Sequence, residues 1–235
     1  MNDQALQLLN TIGSLRSFQP DFRLDVAALP HAALYFSIYG EDATLRAFFK
    51  RQLRKGQIGT YVDIGAATPF NASNTGFFYA CGWRGLCVDA NSIYGEAFAR
   101  WRPEDVFVCT AVGEADGSAQ LYRNVKQPGM TMLAETHPGP DYEGPEVVPV
   151  VRLDKLFAKH IGEKSIQFMS IDVEGAELGV LKSNDWSRWR PEAVLMECHG
   201  FAFDAPYAEP EVKFLVDQGY VIHSKIGPSV LMARG

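Results

Sequence analysis

The sequence predicts an α/β protein on a mostly parallel seven-stranded sheet, with helices on both faces and an antiparallel C-terminal hairpin. Three observations predict it. From residue 60 onward, short apolar runs alternate with amphipathic helical ones, the pattern of strands joined by crossover helices. The last two strand-like runs are separated only by Gly227 and its neighbours, too few residues for a crossover, so that pair is antiparallel. Finally, 235 residues with 47% hydrophobic and 21% charged side chains suit one medium domain with a sizeable core.

Residues 1–56 read as an N-terminal helical segment. One amphipathic run holds Leu6, Leu8, Leu9 and Ile12, and a second holds Leu45, Phe48, Phe49 and Leu53. The second closes on Lys50, Arg51, Arg54, Lys55 and Gly56, cations at the negative helix end followed by a stop. Residues 57–235 form the main domain. Its strands are expected at Thr60–Ile64, Leu86–Asp89, Val106–Ala111, Phe168–Asp172, Ala193–Cys198, Tyr220–Ser224 and Val230–Ala233. Helices fall at Asn74–Cys81, Gly95–Arg100, Leu153–His160, Ala176–Asn184 and Glu209–Gln218. Residues 113–150, with Gly129, Pro138, Pro140 and Pro145 among them, read as a long irregular insertion, and Lys126 to Val148 as a lid or an acceptor-recognition loop.

Charge narrows the function classes. Twenty-two Lys and Arg against 28 Asp and Glu give −6 with no basic block, which excludes an ordinary nucleic-acid binder. No basic leader precedes the first apolar residues and no uncharged apolar run approaches eighteen residues, so the expectation is a cytoplasmic protein without a transmembrane segment. Cys81, Cys87, Cys109 and Cys198 lack metal-ligand spacing and read as reduced structural thiols.

Three strand ends carry the chemistry. Tyr61-Val62-Asp63-Ile64-Gly65-Ala66 is an apolar strand that runs into a small-residue turn, where Gly65 lets backbone approach a ligand and Ala66 keeps the approach open. It lacks the G-x-G-x-x-G of a pyrophosphate cradle. Asp63 beside the turn suits a cationic or hydroxyl-bearing ligand. Gly85-Leu86-Cys87-Val88-Asp89 ends in an acid 24 residues after Gly65, the distance at which α/β ligand folds place a carboxylate on ribose hydroxyls. After Val106–Cys109, the small residues of Thr110-Ala111-Val112-Gly113 leave room for a flat base. Together they outline a nucleoside site without a diphosphate, the shape of S-adenosylmethionine. A plain strand-to-helix turn explains the first feature alone equally well.

Here the chain resembles the FkbM-type class I methyltransferases. The resemblance rests on Asp63-Ile64-Gly65-Ala66 with Pro69, Ser73-Asn74-Thr75, Phe78-Tyr79, Gly82-Trp83-Arg84-Gly85 and Val88-Asp89-Ala90-Asn91. Most specific is Ile171-Asp172-Val173-Glu174-Gly175-Ala176-Glu177, followed by Val194-Leu195-Met196-Glu197-Cys198-His199. Ser37-Ile38-Tyr39-Gly40-Glu41-Asp42 is similar to the family's S-Q-x-G-E-D segment, with Ile38 where Gln is usual. The resemblance implies a Rossmann-like sheet, S-adenosylmethionine as donor, and O-methylation, commonly of a sugar hydroxyl in a glycan, glycolipid or secondary metabolite. It makes Asp63, Gly65, Ala66, Ser73, Asn74, Asp89, Ala90, Ala111, Val112 and Asp172 the expected cofactor contacts.

Asp172, Glu174, Glu177, Glu197 and His199 fall at the carboxyl ends of two neighbouring strands, the ligand edge of a parallel sheet. His199, Asp172 and Glu174 are the catalytic candidates, with His199 as general base. Alternatively Asp172, Glu197 and His199 hold Mg²⁺ or another divalent cation. The alternative for Glu174 and, more so, for Glu177 is a favourable charge at the next helix's start. Tyr122, Tyr142 and Tyr207 are candidates for a sugar face, and Arg84, Arg100 and Arg102 read as solvated charge. The competing functions are a methyltransferase-like binding module without catalysis, and a nicotinamide-dependent oxidoreductase, which the missing glycine pattern opposes.

Overall fold

Seven of those apolar runs become one sheet in the computed structural model, which describes residues 35–235. The strands are β1 (Thr60–Ile64), β2 (Arg84–Asp89), β3 (Val106–Cys109), β8 (Phe168–Ile171), β9 (Ala193–Glu197), β10 (Tyr220–Ile226) and β11 (Ser229–Arg234), in the order β10-β11-β9-β8-β1-β2-β3. β1 pairs in parallel with β2 and β8, as do β2 with β3 and β8 with β9. β11 is antiparallel to both β9 and β10. This is a Rossmann-like sheet, with the expected antiparallel hairpin at one side.

Alternation along each strand assigns the two faces. Val62, Ile64, Met169, Ile171, Val194 and Met196 pack with α5 (Leu153–His160), α6 (Glu177–Lys182) and α7 (Pro210–Asp217). The intervening Tyr61, Cys87, Phe168 and Leu195 face Leu45 of α1 (Glu41–Phe48), Phe78 of α3 (Gly76–Ala80) and Phe98 of α4 (Gly95–Trp101). Between α1 and α3 the short α2 spans Lys50–Arg54, so the second N-terminal run is helical as expected. The Leu6 to Ile12 run lies outside the described residues.

Two expectations change. The strand expected over Val106–Ala111 breaks at Thr110, whose N–H donates to the Asp89 carbonyl at 3.0 Å while its hydroxyl donates to the Pro149 carbonyl at 3.0 Å. The expected irregular insertion is instead a second sheet of β4 (Ala111–Val112), β5 (Gly117–Asn124), β6 (Met132–Leu133) and β7 (Tyr142–Val151), in the order β4-β7-β5-β6. Prolines disguised it: Gly144 and Pro145 fall where the β5–β7 register shifts, between Leu121 and Arg123, and a bulge asks no N–H of proline.

Arg102 is also corrected. It is 1% exposed, its Nε donating to Asp105 Oδ2 at 2.7 Å, with Nη2 on the Tyr61 hydroxyl at 3.0 Å and Nη1 on the Pro69 carbonyl at 3.0 Å. Buried charge persists only when so paired, and this pairing ties the loop after β1 to the α4–β3 connection.

Candidate active site

The carboxyl ends of β1, β2, β8 and β9 open onto one cavity of about 660 Å³. Gly65, Asp89, Ala90, Ala111, Val112, Asp172, Glu174, Glu197 and His199 all line it. Nine of the residues singled out in the sequence therefore share one wall. The insertion sheet adds a wall through Leu121 and residues 127–133, and Ile38, Tyr39, Gly227 and Pro228 close another side.

Gly65 has φ +81°, and a Cβ there would collide with the Asp172 carbonyl oxygen and lie 2.7 Å from its carbon. The glycine lets the turn after β1 sit directly against the end of β8, where Asp172 N donates to the Ile64 carbonyl at 2.9 Å. Asp89 ends β2 with Oδ2 accepting from Ala67 N–H at 2.8 Å and Oδ1 from Asn91 N–H at 2.7 Å. Burial pushes its carboxyl up to about 6, against the pull of those two donors. Each carboxylate oxygen keeps a further lone pair for a ligand hydroxyl.

Four expected cofactor contacts are absent from the cavity wall. Asp63 points to the α1/α3 side of β1, buried, accepting from the Thr75 hydroxyl at 2.5 Å, and burial raises its carboxyl above the ordinary range. Alternation in β1 dictates that direction. Ser73 Oγ accepts from Gly76 N–H at 3.1 Å, at the start of α3. Asn74 Nδ2 donates to Ser170 Oγ at 3.1 Å, and Ala66 is buried with its N–H on the Val88 carbonyl. These residues brace the ligand-side turns from behind.

At the β8–β9 end, carboxylate oxygens of Asp172, Glu174 and Glu197 lie within 4.8 Å of one another. Asp172 opens onto the cavity yet is ringed by protein, and desolvation, then Glu197 and its other acidic neighbours, push it up to about 8. Glu174 is raised by desolvation, then by Glu197 and Glu177, with His199 pulling it down, and it adopts a positive φ of 54°. Glu177 folds back instead, Oε1 accepting from Val173 and Gly175 N–H at 3.2 Å each, so it shapes the turn and does not face the ligand. Glu197 Oε1 lies 3.1 Å from His199 Nε2, while Glu197 Oε2 is buried without a hydrogen-bond partner among the described residues. The acidic cluster therefore contains Glu174, with His199 outside it as Glu197's partner, in place of the expected Asp172, Glu197 and His199 set.

The Ser37–Asp42 segment is folded by its own acids. Asp42 accepts from Ser37 Oγ at 2.7 Å and Phe36 N–H at 3.0 Å, and Glu41 Oε2 from Tyr39 N–H at 2.9 Å. The consequence is that Ile38 and Tyr39 reach the cavity wall. Tyr39 and Tyr94 are wall residues that sequence reasoning passed over; Tyr122, Tyr142 and Tyr207 do not line the cavity.

Residues 63–222, more than half of the chain, match the family model described as Methyltransferase FkbM domain. The chain belongs to the FkbM methyltransferase family. Among solved structures, the FkbM methyltransferase from Methylobacillus flagellatus KT is similar at 13% identity and TM-score 0.45, covering 75% of this chain and 43% of that one. Monomeric WbdD is similar at 11% identity and TM-score 0.46, covering 94% and 48%. This FkbM chain thus spans less than half the length of those two. The O-methyltransferase from Bacillus cereus, solved in complex with SAH, is similar at 12% identity and TM-score 0.43, covering 99% and 91%. No curated protein matches. Among the described residues, no helix is long and apolar enough to cross a membrane.

Proposed function

We propose that this FkbM protein is a cytoplasmic O-methyltransferase acting on a hydroxyl of a sugar, in a glycan, glycolipid or secondary metabolite. The observation that carries the reading is the Glu197–His199 pair at the far end of a cavity whose ribose acid is Asp89. An alcohol is a weak nucleophile, so O-transfer needs a group to take its proton, and a neutral amine acceptor would not.

The donor fits the residues present. Among the described residues, the acidic groups lining the cavity are Asp89, Asp172, Glu174 and Glu197, beside His199 and with neither Lys nor Arg. That set disfavours a pyrophosphate, and with it a nicotinamide dinucleotide, and suits a cationic nucleoside. S-adenosylmethionine supplies an electrophilic methyl on a sulfonium. Asp89 accepts from its ribose hydroxyls, Ala111 and Val112 flank the base, and Gly65 admits the chain beside Asp172. With Glu197 accepting from His199 Nε2–H, the Nδ1 lone pair is left to take the acceptor's proton, and Glu197 stabilises the imidazolium. A binding module without catalysis has no need of that pair.

The three clustered carboxylates and the orphaned Glu197 Oε2 support a second reading, in which Asp172, Glu174 and Glu197 hold Mg²⁺ or a similar ion. Such an ion would offset alkoxide charge in place of a base. The His199→Ala protein, assayed on methyl glycosides, glycolipids and nucleotide sugars, should bind S-adenosylhomocysteine normally and turn over at least about a hundredfold more slowly. Wild-type turnover in that variant, abolished by chelator and restored by Mg²⁺, would favour the ion over the base.

A further inference from the structure

We propose that Tyr39 is the platform on which the acceptor ring stacks, and that this ring is an uncharged pyranose. The inference rests on the sugar-acceptor reading above and adds to it the residue that selects the ring and the charge class it selects.

Position comes first. Along the sheet, β2 with Asp89 is followed by β1, β8, β9 and β11. At about 4.8 Å per strand, the turn at Gly227 and Pro228 lies roughly 19 Å from the ribose acid. Tyr39 packs on that turn: a Cβ on Gly227, whose φ is +50°, would lie 2.5 Å from Tyr39 Cγ. The ring therefore occupies space that only a glycine leaves. Its backbone is held as well, through Tyr39 N–H on Glu41, itself buried at 4% exposure. Tyr39 thus stands at the acceptor end of the cavity with Glu197 and His199, held from below and 59% exposed.

Chemistry follows from that placement. A pyranose presents C–H bonds on one face and hydroxyls around its rim, and slightly positive C–H groups pack on the negative face of an aromatic ring. Rim hydroxyls then find acceptors in Glu174 and Glu197. A carboxylate or phosphate on the same ring would meet those acids with no Lys or Arg among the described wall residues to balance it. The tyrosine occupies the third position of Ser37–Asp42, ahead of the two acids that fold the segment, so exchanging its side chain alters the wall and leaves the fold of the segment to Asp42 and Glu41.

The test is saturation-transfer NMR on the full chain loaded with S-adenosylhomocysteine. The probes are methyl β-glucoside, methyl β-galactoside and methyl α-mannoside, set against methyl β-glucuronide and glucose 6-phosphate. At least one neutral glycoside should bind, about tenfold or more tighter than either anionic sugar. Tyr39→Ala should weaken that glycoside about tenfold and leave S-adenosylhomocysteine affinity within twofold, Tyr39→Phe should retain it, and Gly227→Ala, which displaces the ring, should reproduce the loss. Anionic sugars that bind as tightly as neutral ones overturn the charge class, and glycoside binding that survives both Tyr39→Ala and Gly227→Ala overturns the platform. If no sugar binds the wild type, the sugar acceptor itself is refuted, and this inference with it.

Discussion

Replacing Gly65 by alanine puts a methyl group where the ends of β1 and β8 meet. Two terms add. An L-residue held at φ +81° costs about 1–2 kcal/mol. The new Cβ also collides with backbone, the Asp172 carbonyl, which cannot swing aside as a side chain would. Relief requires the paired strands, in register from Tyr61↔Phe168 to Ile64↔Ile171, to part at their ligand ends, at about 1–3 kcal/mol by analogy with overpacked cores. The sum is about 2–5 kcal/mol, and at roughly 2–4 °C per kcal/mol for this size the melting temperature should drop by on the order of 10 °C. Gly56→Ala separates the terms: its φ is +64° with no atom of the described residues within 4 Å of the added carbon, so it should lose only the strain, roughly 2–8 °C. Differential scanning fluorimetry gives both shifts, and calorimetry with S-adenosylhomocysteine should show at least tenfold weaker binding for Gly65→Ala alone. A Gly65→Ala protein that melts like Gly56→Ala and binds like wild type would refute the close approach of the two turns.

Two further outcomes concern the acids. Asp89→Ala should weaken S-adenosylhomocysteine by about tenfold or more, since a hydrogen bond to a charged acceptor contributes about 1.5–3 kcal/mol; unchanged affinity by calorimetry would remove Asp89 from the ribose site. Asp172, raised to about 8, holds its proton more tightly folded than unfolded, so its stabilisation is complete below about pH 4 and is lost as pH rises through 8. The ligand-free protein should melt progressively lower from pH 5 to pH 8. Because solvent in the cavity screens the repulsion, we count one pH unit's worth, about 1.4 kcal/mol, so Asp172→Asn should melt roughly 3–6 °C above wild type at pH 8. Identical pH profiles would show that the acidic cluster is not strained.

The seven strands were legible because each is a short apolar run bounded by turn residues, and because the alternation of Tyr61, Val62 and Asp63 buries on both faces. The same alternation misled at the site. Asp63 stands in a ligand-site motif, but its place in β1 turns it away from the cavity, and no local signal shows which face of a parallel sheet a given residue takes. The insertion sheet was hidden because β7 carries Pro145 at a bulge and Pro149 beside a short partner strand. Arg102 looked solvated because its partners Tyr61 and Pro69 are 41 and 33 residues away. Tyr39's role depends on Gly227, far along the chain, and only the folded hairpin brings them together.

The central claim is transfer of a methyl group to a sugar oxygen, and the most direct measurement is the fate of the label from [methyl-¹³C]-S-adenosylmethionine incubated with the protein and a panel of neutral glycosides, glycolipids and nucleotide sugars. A new O-methyl ether carbon signal is expected on a sugar, lost in His199→Ala. Label on nitrogen, carbon or a carboxylate, or an O-methyl sugar formed equally well by His199→Ala in chelator, would contradict it.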